Sequence, residues 1–223
     1  MVIFVTALYN LNETRDDRGL NMRLAMFEKL VATGIYLYVF IDPIYADVVH
    51  VPNGVIVPID FNSLDAYKLA PEGISAIRNE NKDTREFMIL MNAKIEFVKL
   101  CMDSTTATHY AWIDFSIYNV LTDPISTERL HNMQLREFPK QCAYFPGIWN
   151  PLVVWNHINW RFCGGFFLGD RETLYEMYQL HLRLYPTIPN LTWEVNVWAY
   201  LEQEGMIFDW FLANHDDSIL AIP

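Results

Sequence analysis

Cysteine is scarce: Cys101, Cys142 and Cys163 are the three in 223 residues, and no two have CxxC spacing. An odd, sparse set does not build a disulfide framework, and a reducing compartment fits it better. Basic charge is also short. Lys plus Arg number 16 against 27 Asp plus Glu, a formal net charge of −11. Such a chain does not coat nucleic acid or an anionic membrane by bulk charge. A phosphorylated ligand would need local devices: helix N-termini, a few placed Arg or Lys, or a divalent cation. The longest stretch without a formal charge, Gln141 to Trp160, contains Pro146, Gly147, Asn150, Pro151, Asn156 and Asn159, which excludes a membrane span. Met1 to Leu8 has no basic region and turns polar at Asn10. It is therefore expected to be a first strand in a cytoplasmic protein rather than a signal peptide. GxxxxGK[ST], GxGxxG, HExxH and GxSxG patterns are missing as well. Their absence argues against NTPases, Rossmann dehydrogenases, zincins and α/β-hydrolases.

What is abundant is apolar surface. Hydrophobic residues make up 52% and aromatics 15%, enough for a sizeable packed core. Val2 to Leu8 is a short apolar run of the kind a fully buried strand shows. Leu11 to Gly19 is a charged loop. Leu20, Leu24, Phe27, Leu30 and Val31 have helical spacing, and Gly34 is a natural helix stop. Ile35 to Ile41 is again strand-like, so the chain opens as a βαβ unit. Val48 to Ile59 suggests one or two short strands, and 60–82 short helical pieces. Thr84 is expected to cap a helix over Phe87 to Cys101. Tyr110 to Ile113 reads as a strand, Ile125 to Phe138 as holding a short helix, and Phe162 to Leu168 as a strand carrying Gly164 and Gly165. Helices are expected from Asp170 to about Tyr185 and from Thr192 to about Gly205. A last strand over Met206 to Phe211 precedes a polar tail. The alternation predicts a single α/β domain, a mostly parallel sheet with helices on both faces and an irregular aromatic-rich part in the second half.

Four strings could carry chemistry. In Tyr110-Ala-Trp-Ile-Asp114-Phe-Ser116 an apolar strand delivers a carboxylate at its C-terminal end, the edge where open parallel sheets bind ligands. An acid between Ile113 and Phe115 needs a metal, a hydroxyl or a cation as partner; the bland alternative is a cap on the next turn. In Arg161-Phe-Cys-Gly164-Gly165, paired glycines mark a bulge or a close backbone approach by a ligand. Thr192-Trp193-Glu194-Val-Asn196 puts an acid in a first helical turn, where the dipole alone favours it by about 0.3–1 kcal/mol. The functional reading is a general base, with Trp193 stacked on a sugar. His215-Asp216-Asp217 offers an imidazole and carboxylates to a Mn²⁺-class metal, or is simply a solvated tail. Lys94, with Asn92, lies on the helix preceding the Asp114 strand. Arg15 and Arg18 lie in the first βα loop, which faces the ligand crevice of a βαβ unit and could pair with phosphate.

Together these strings resemble the glycosyltransferases of GT-A fold, and most nearly the HtrL/YibB-like (WlaTC-type) family of bacteria and large DNA viruses. The resemblance is carried by Phe4-Val-Thr-Ala-Leu-Tyr9, Lys94, Ala111-Trp-Ile-Asp-Phe-Ser116, Cys163-Gly-Gly-Phe-Phe-Leu-Gly169 and Trp193-Glu-Val-Asn196. It implies a nucleotide-sugar-binding half over about 1–120 and an acceptor-binding half over about 121–223. Thr6, Ala7 and Tyr9 would meet the base and ribose. Asp114 would take the first place of the DxD motif, near the ribose and the metal-bound diphosphate, and His215 would complete the metal shell. Ser116 stands where the motif usually has a second Asp, which weakens the case for Mn²⁺ or Mg²⁺. Gly164 and Gly165 would approach the donor sugar, and Glu194 would be the base of an inverting enzyme. In a viral chain the compartment would be the host cytoplasm.

The resulting expectation is a nucleotide-sugar-dependent transfer to a glycan or other hydroxyl acceptor. Donor contacts would come from Thr6, Ala7, Tyr9, Arg15, Arg18, Lys94, Ser116, Gly164 and Gly165. Acceptor contacts would come from Trp160, Arg161, Trp193 and Asn196. A divalent cation would offset the two or so negative charges of a sugar diphosphate, and Glu194 as base would contribute on the order of 10²–10⁴ in rate. It would sit across the pocket from Asp114, with the sugar between. Two alternatives stand beside this: a glycoside hydrolase using Asp114 and Glu194 as its carboxylate pair, and a non-catalytic carbohydrate-binding domain.

Overall fold

Val2–Leu8 forms β1, and all seven of its residues are buried. A strand that apolar needs cover on both faces, which is the environment of a parallel α/β sheet. The computed structural model describes residues 1–11, 19–148 and 158–223, and supplies that cover. The other strands are β2 (Leu37–Ile41), β3 (Gly54–Pro58), β4 (His109–Ile113), β5 (Ala143–Gly147), β6 (Phe166–Asp170) and β7 (Asp209–Leu212). They form one sheet in the order β3-β2-β1-β4-β6-β5-β7. β1 pairs parallel with both β2 and β4, β2 with β3 and β5 with β7, while β6 runs antiparallel to β4 and β5.

Two cores flank the sheet. On one face Ile3, Val5 and Ala7 of β1 pack with α3 (Arg85–Asn92), α4 (Lys94–Ser104), α6 (Arg171–Leu184) and α7 (Glu194–Gln203). On the other face Val2, Phe4 and Leu8 pack with Phe27 and Leu30 of α1 (Leu20–Ala32) and with Leu130 and Met133 of α5 (Ile125–Leu135). A four-residue α2 (Asp65–Lys68) lies in the irregular 60–82 region. The alternating partition along β1 is the two-residue period of a strand with core on both sides.

Most expected elements are present, but β5 forms in the stretch expected to be irregular, the last strand begins at Asp209 rather than Met206, and three further departures bear on the site. The helix predicted over Phe87 to Cys101 is two helices that meet at Ala93; Thr84 does cap the first, accepting from the Phe87 amide at 3.2 Å. At the break the Asn92 side chain donates to the Met88 carbonyl and to Thr192, each at 2.8 Å, so side chain competes with helix backbone. The strand predicted from Phe162 begins at Phe166, leaving Gly164 and Gly165 in its approach. The polar tail is a docked segment: a 3₁₀ turn spans Asp217–Leu220, and Ile219 and Leu220 are 1% and 2% exposed. The first sheet-edge loop carrying Arg15 and Arg18 lies outside the described residues, as does most of the aromatic stretch after Ile148. No helix among the described residues is long and apolar enough to cross a membrane.

Burial also tunes the fold to pH. His181 on α6 is buried against the Tyr185 ring, 4.8 Å between centroids, and burial pushes its pKa down to about 4. The folded state therefore holds the neutral imidazole, whereas the unfolded chain protonates near pH 6.5. Stability from this residue is complete above about pH 6.5 and drains away as pH falls towards 4, on the order of 3 kcal/mol in all. Denaturant melts from pH 7 to pH 4 should show this loss, and His181→Phe should flatten the curve across that window.

Candidate functional site

The crossover from β1 to β2 and the neighbouring β4 leave β1 on opposite sides, which makes the β1/β4 junction the switch point of the sheet. Open α/β sheets bind ligands just beyond the strand C-termini at such a junction. A cleft of about 210 Å³ lies there. Its walls include Ala7 near the end of β1, Tyr9 and Asn10 after it, Asp114 and Ser116 after β4, Gly165 before β6, and His215 from the docked C-terminal segment.

Asp114 ends β4 as the pattern predicted. Its amide donates to the Gly165 carbonyl at 2.9 Å, which fixes the backbone. Its Oδ1 accepts from the Trp112 indole at 2.8 Å and pairs with the Lys94 ammonium at 3.0 Å. The second oxygen, Oδ2, carries no hydrogen bond from the described residues, and the side chain is 38% exposed. Asp114 is thus a carboxylate anchored by one oxygen and open at the other.

Lys94, expected against the donor, is elsewhere. It is 1% exposed, the first residue of α4, and its ammonium is engaged below the cleft: it donates to Glu194 Oε1 at 2.7 Å and to the Gly164 carbonyl at 2.8 Å, and it forms an ion pair with Asp114. Burial opposes its charge, but Asp114 and then Glu194 outweigh that and hold its pKa above the ordinary lysine value. The Trp112 ring adds a cation–π contact at 5.7 Å.

Glu194 does not face Asp114 across a pocket. It is 1% exposed, forms no part of the cleft wall, and shares the Lys94 ammonium with Asp114. Its Oε2 is buried with no hydrogen-bond partner among the described residues. The expected placement across the pocket is corrected accordingly: the helix start that positions this acid is itself packed inside the core. Gly164 is explained by the same cluster, because a β-carbon there would overlap Glu194 Oε1. Gly165, by contrast, reaches the cleft.

The remaining predictions divide cleanly. Ala7, Tyr9, Ser116 and His215 line the cleft. Thr6 is fully buried one residue deeper, with Oγ1 unpartnered among the described residues. Tyr9 is also held structurally, its hydroxyl donating to Ile59 at 2.8 Å. Arg161 is fully buried in a bidentate pair with Glu202, at 2.7 and 3.0 Å, under the Trp210 ring, and offers no acceptor surface. Asn196 is fully buried, accepting from the Asn159 amide and donating to Thr192. Trp193 is 7% exposed and packs between Phe87 and Trp160; Trp160 in turn reaches the His215 ring, 6.0 Å away. Of the C-terminal acids, Asp217 caps the Thr122–Ser126 turn and Asp216 caps Ser218, so only His215 turns to the cleft.

Two cleft cations escaped the sequence reading. Arg23, in the first turn of α1, donates to the Tyr9 carbonyl at 2.7 Å, and Lys82 lies 4.3 Å over the Trp193 ring. Arg23 could have been found by extending the first βα loop one turn into its helix. Lys82 has no local signal, since it reaches the cleft only through the fold of 60–82. The three cysteines are buried, which raises their pKa values to about 12 (Cys101), 11 (Cys142) and 12 (Cys163) and disfavours the thiolate form.

No protein-family model matches this chain, and no curated protein matches it. Among solved structures it is similar to a glycosyltransferase involved in the glycosylation of the major capsid of PBCV-1, with a TM-score of 0.51 at 9% identity over 96% of this chain and 81% of that one. It is also similar to a Mycobacterium tuberculosis protein solved in complex with manganese, TM-score 0.46 at 9% identity, over 95% and 87% of the two chains. A third is the inositol-1-phosphate CTP transferase from T. maritima, TM-score 0.44 at 11% identity, over 95% and 84%. The first likeness establishes the fold class, a GT-A-like α/β sheet.

The packing around Gly164 has a direct test. Gly164→Ala forces Glu194 off Lys94 and should cost about 1–3 kcal/mol, read as a lower midpoint in urea. Gly165→Ala meets only Ile117 at close range, 3.0 Å from its Cδ1, and should cost clearly less.

Proposed function

We propose that this chain is a nucleotide-sugar-dependent glycosyltransferase whose donor lies in the β1/β4 cleft. The observation that carries the reading is Asp114: a carboxylate at the sheet's switch point, tied down through Oδ1 and open through Oδ2. Ala7 and Tyr9 would border the nucleoside, and Asp114 with Ser116 the ribose and diphosphate. Arg23 and Lys82 would supply cationic groups to the phosphates, and Gly165 would leave room for the sugar.

The donor set fits a divalent cation shared with substrate. Asp114 Oδ2 and the His215 imidazole are ligand types that suit Mn²⁺-class metals, and both border one cleft. Among the described residues no group of three His, Cys, Asp or Glu could hold such an ion alone. A cation bound through one carboxylate and two phosphates needs no such group. When bound, it would stabilise the charge of the leaving diphosphate. In the transfer the bond from the anomeric carbon to the phosphate oxygen breaks, and the diphosphate keeps the electron pair. The acceptor oxygen bonds to that carbon, and the hydroxyl proton passes to solvent.

The hydrolase alternative needs two carboxylates flanking the scissile bond. Asp114 and Glu194 instead sit on one ammonium, with Glu194 sealed in the core, which argues against it.

A melting screen of UDP-, GDP- and dTDP-sugars with and without Mn²⁺ tests the proposal. A true donor at 100 times its Kd should add about 2.7 kcal/mol, a rise of roughly 5–10 °C. Asp114→Asn should weaken that binding by on the order of 100-fold, and Arg23→Ala by about 10- to 100-fold. No shift with any of the three would sink the donor-site reading. Equal shifts with Mn²⁺ and with EDTA would remove the metal from it.

A further inference from the structure

Glu194 is a buried acid with one partner. Its Oε1 takes a proton from Lys94 at 2.7 Å, and its Oε2 has no partner among the described residues. Lys94 in turn has three acceptors, of which only Asp114 reaches the cleft. The path from Glu194 to the cleft therefore runs through the ammonium and through nothing else in this cluster. We infer that Glu194 is a positioning residue: it seats the Lys94 ammonium, and Lys94 with Trp112 pins Asp114 Oδ1 so that Oδ2 faces the cleft. The inference rests on the donor-site reading of the cleft, and it assigns Glu194 a role other than the base of the reaction.

The geometry favours this division of labour. A base must come within about 2.6–3.2 Å of the proton it takes, or one water away, and Glu194 is sealed at 1% exposure. Two carboxylate oxygens of the cluster, Glu194 Oε2 and Asp114 Oδ2, accept no hydrogen bond from the described residues, and of the two acids only Asp114 borders the cleft. Without Glu194, Lys94 has one carboxylate and one carbonyl left as acceptors. Its position, and with it the orientation of Asp114, is then less determined. Partners that act behind a ligand in this way typically alter affinity by 10- to 100-fold.

The two roles predict opposite outcomes for Glu194→Gln, which keeps the volume and removes the charge. Two measurements separate them. The first uses no ligand: the indole N–H resonance of Trp112, which reports its bond to Asp114 Oδ1. The second is the Kd for UDP, GDP and dTDP, each with Mn²⁺. A positioning role moves the Trp112 resonance, weakens the tightest diphosphate about tenfold or more, and raises KM more than it lowers turnover at saturation. A base leaves the resonance and the Kd at their wild-type values and lowers turnover alone, and that result would overturn the inference. Where the single variant does not melt cooperatively, Lys94→Met with Glu194→Gln leaves no unpaired charge in the core. Its Trp112 resonance should move in the same way, and an unmoved one overturns the inference equally. If the wild type binds none of the three diphosphates, the donor-site reading fails, and the Trp112 resonance alone decides whether Glu194 orders Asp114.

Discussion

A lysine ammonium with 1% exposure has to find every acceptor it needs inside the protein, because the cost of stripping its water is several kcal/mol. Lys94 finds three, from parts of the chain 20, 70 and 100 residues away: Asp114 after β4, the Gly164 carbonyl before β6, and Glu194 at the start of α7. Each of these must arrive for the others to be tolerated. Remove either carboxylate and the ammonium is under-compensated; remove the ammonium and Glu194 is a buried charge with no counter-ion. Breaking one side of such a group typically costs about 3–5 kcal/mol, whereas replacing all of it with well-packed apolar side chains is often neutral. The cluster is thus a poor source of stability and a good device for locking α4, α7 and two strand ends into one arrangement beneath the cleft.

That arrangement explains which glycine is structural and which is not. Gly164 lies where Lys94 and Glu194 meet the backbone, and its missing side chain is what lets the carboxylate sit there. Gly165 lies one residue on, at the cleft, with its carbonyl holding the Asp114 amide. One pair of residues therefore closes the core and opens the site. The C-terminal segment does something similar. Asp216 and Asp217 satisfy local amides, Ile219 and Leu220 enter the core, and the residue left facing the cleft is His215.

Much of the architecture is legible in the residues. A seven-residue apolar strand, a helix closed by Gly34 (φ +76°), and strands that alternate with capped helices predict a mostly parallel sheet, and the sheet is mostly parallel. Asp114 is legible too, because an acid abruptly ending an apolar strand is a local pattern. What is not legible is which polar residues point inward. Arg161 beside Gly164, Asn196 two residues after Glu194 and Glu194 itself all read as site residues in sequence. In the fold each is consumed by a partner from another part of the chain: Glu202 for Arg161, Asn159 (beside the local Thr192) for Asn196, and Lys94 for Glu194. Periodicity tells which face of a helix is apolar, but not that a charge on that face has a counter-ion waiting. Arg23 and Lys82 fail for the converse reason: each looks like ordinary surface charge until tertiary structure folds it over the cleft.

The charge distribution then bears on what such a cleft selects. The chain carries −11 overall, a poor background for a sugar diphosphate. Locally the order is layered: an acidic floor at Asp114, whose second oxygen accepts no hydrogen bond from the described residues, and Arg23 and Lys82 on the walls. A bare anion would gain from the walls and be repelled by the floor. A bare cation would experience the reverse. A ligand that brings both signs together, as the proposed diphosphate with a divalent ion does, would be favoured by both floor and walls. On the proposed donor-site reading Asp114 would discriminate by charge order as much as by contact, and the lysine beneath it would matter because it holds Oδ1 and leaves Oδ2 to form the floor.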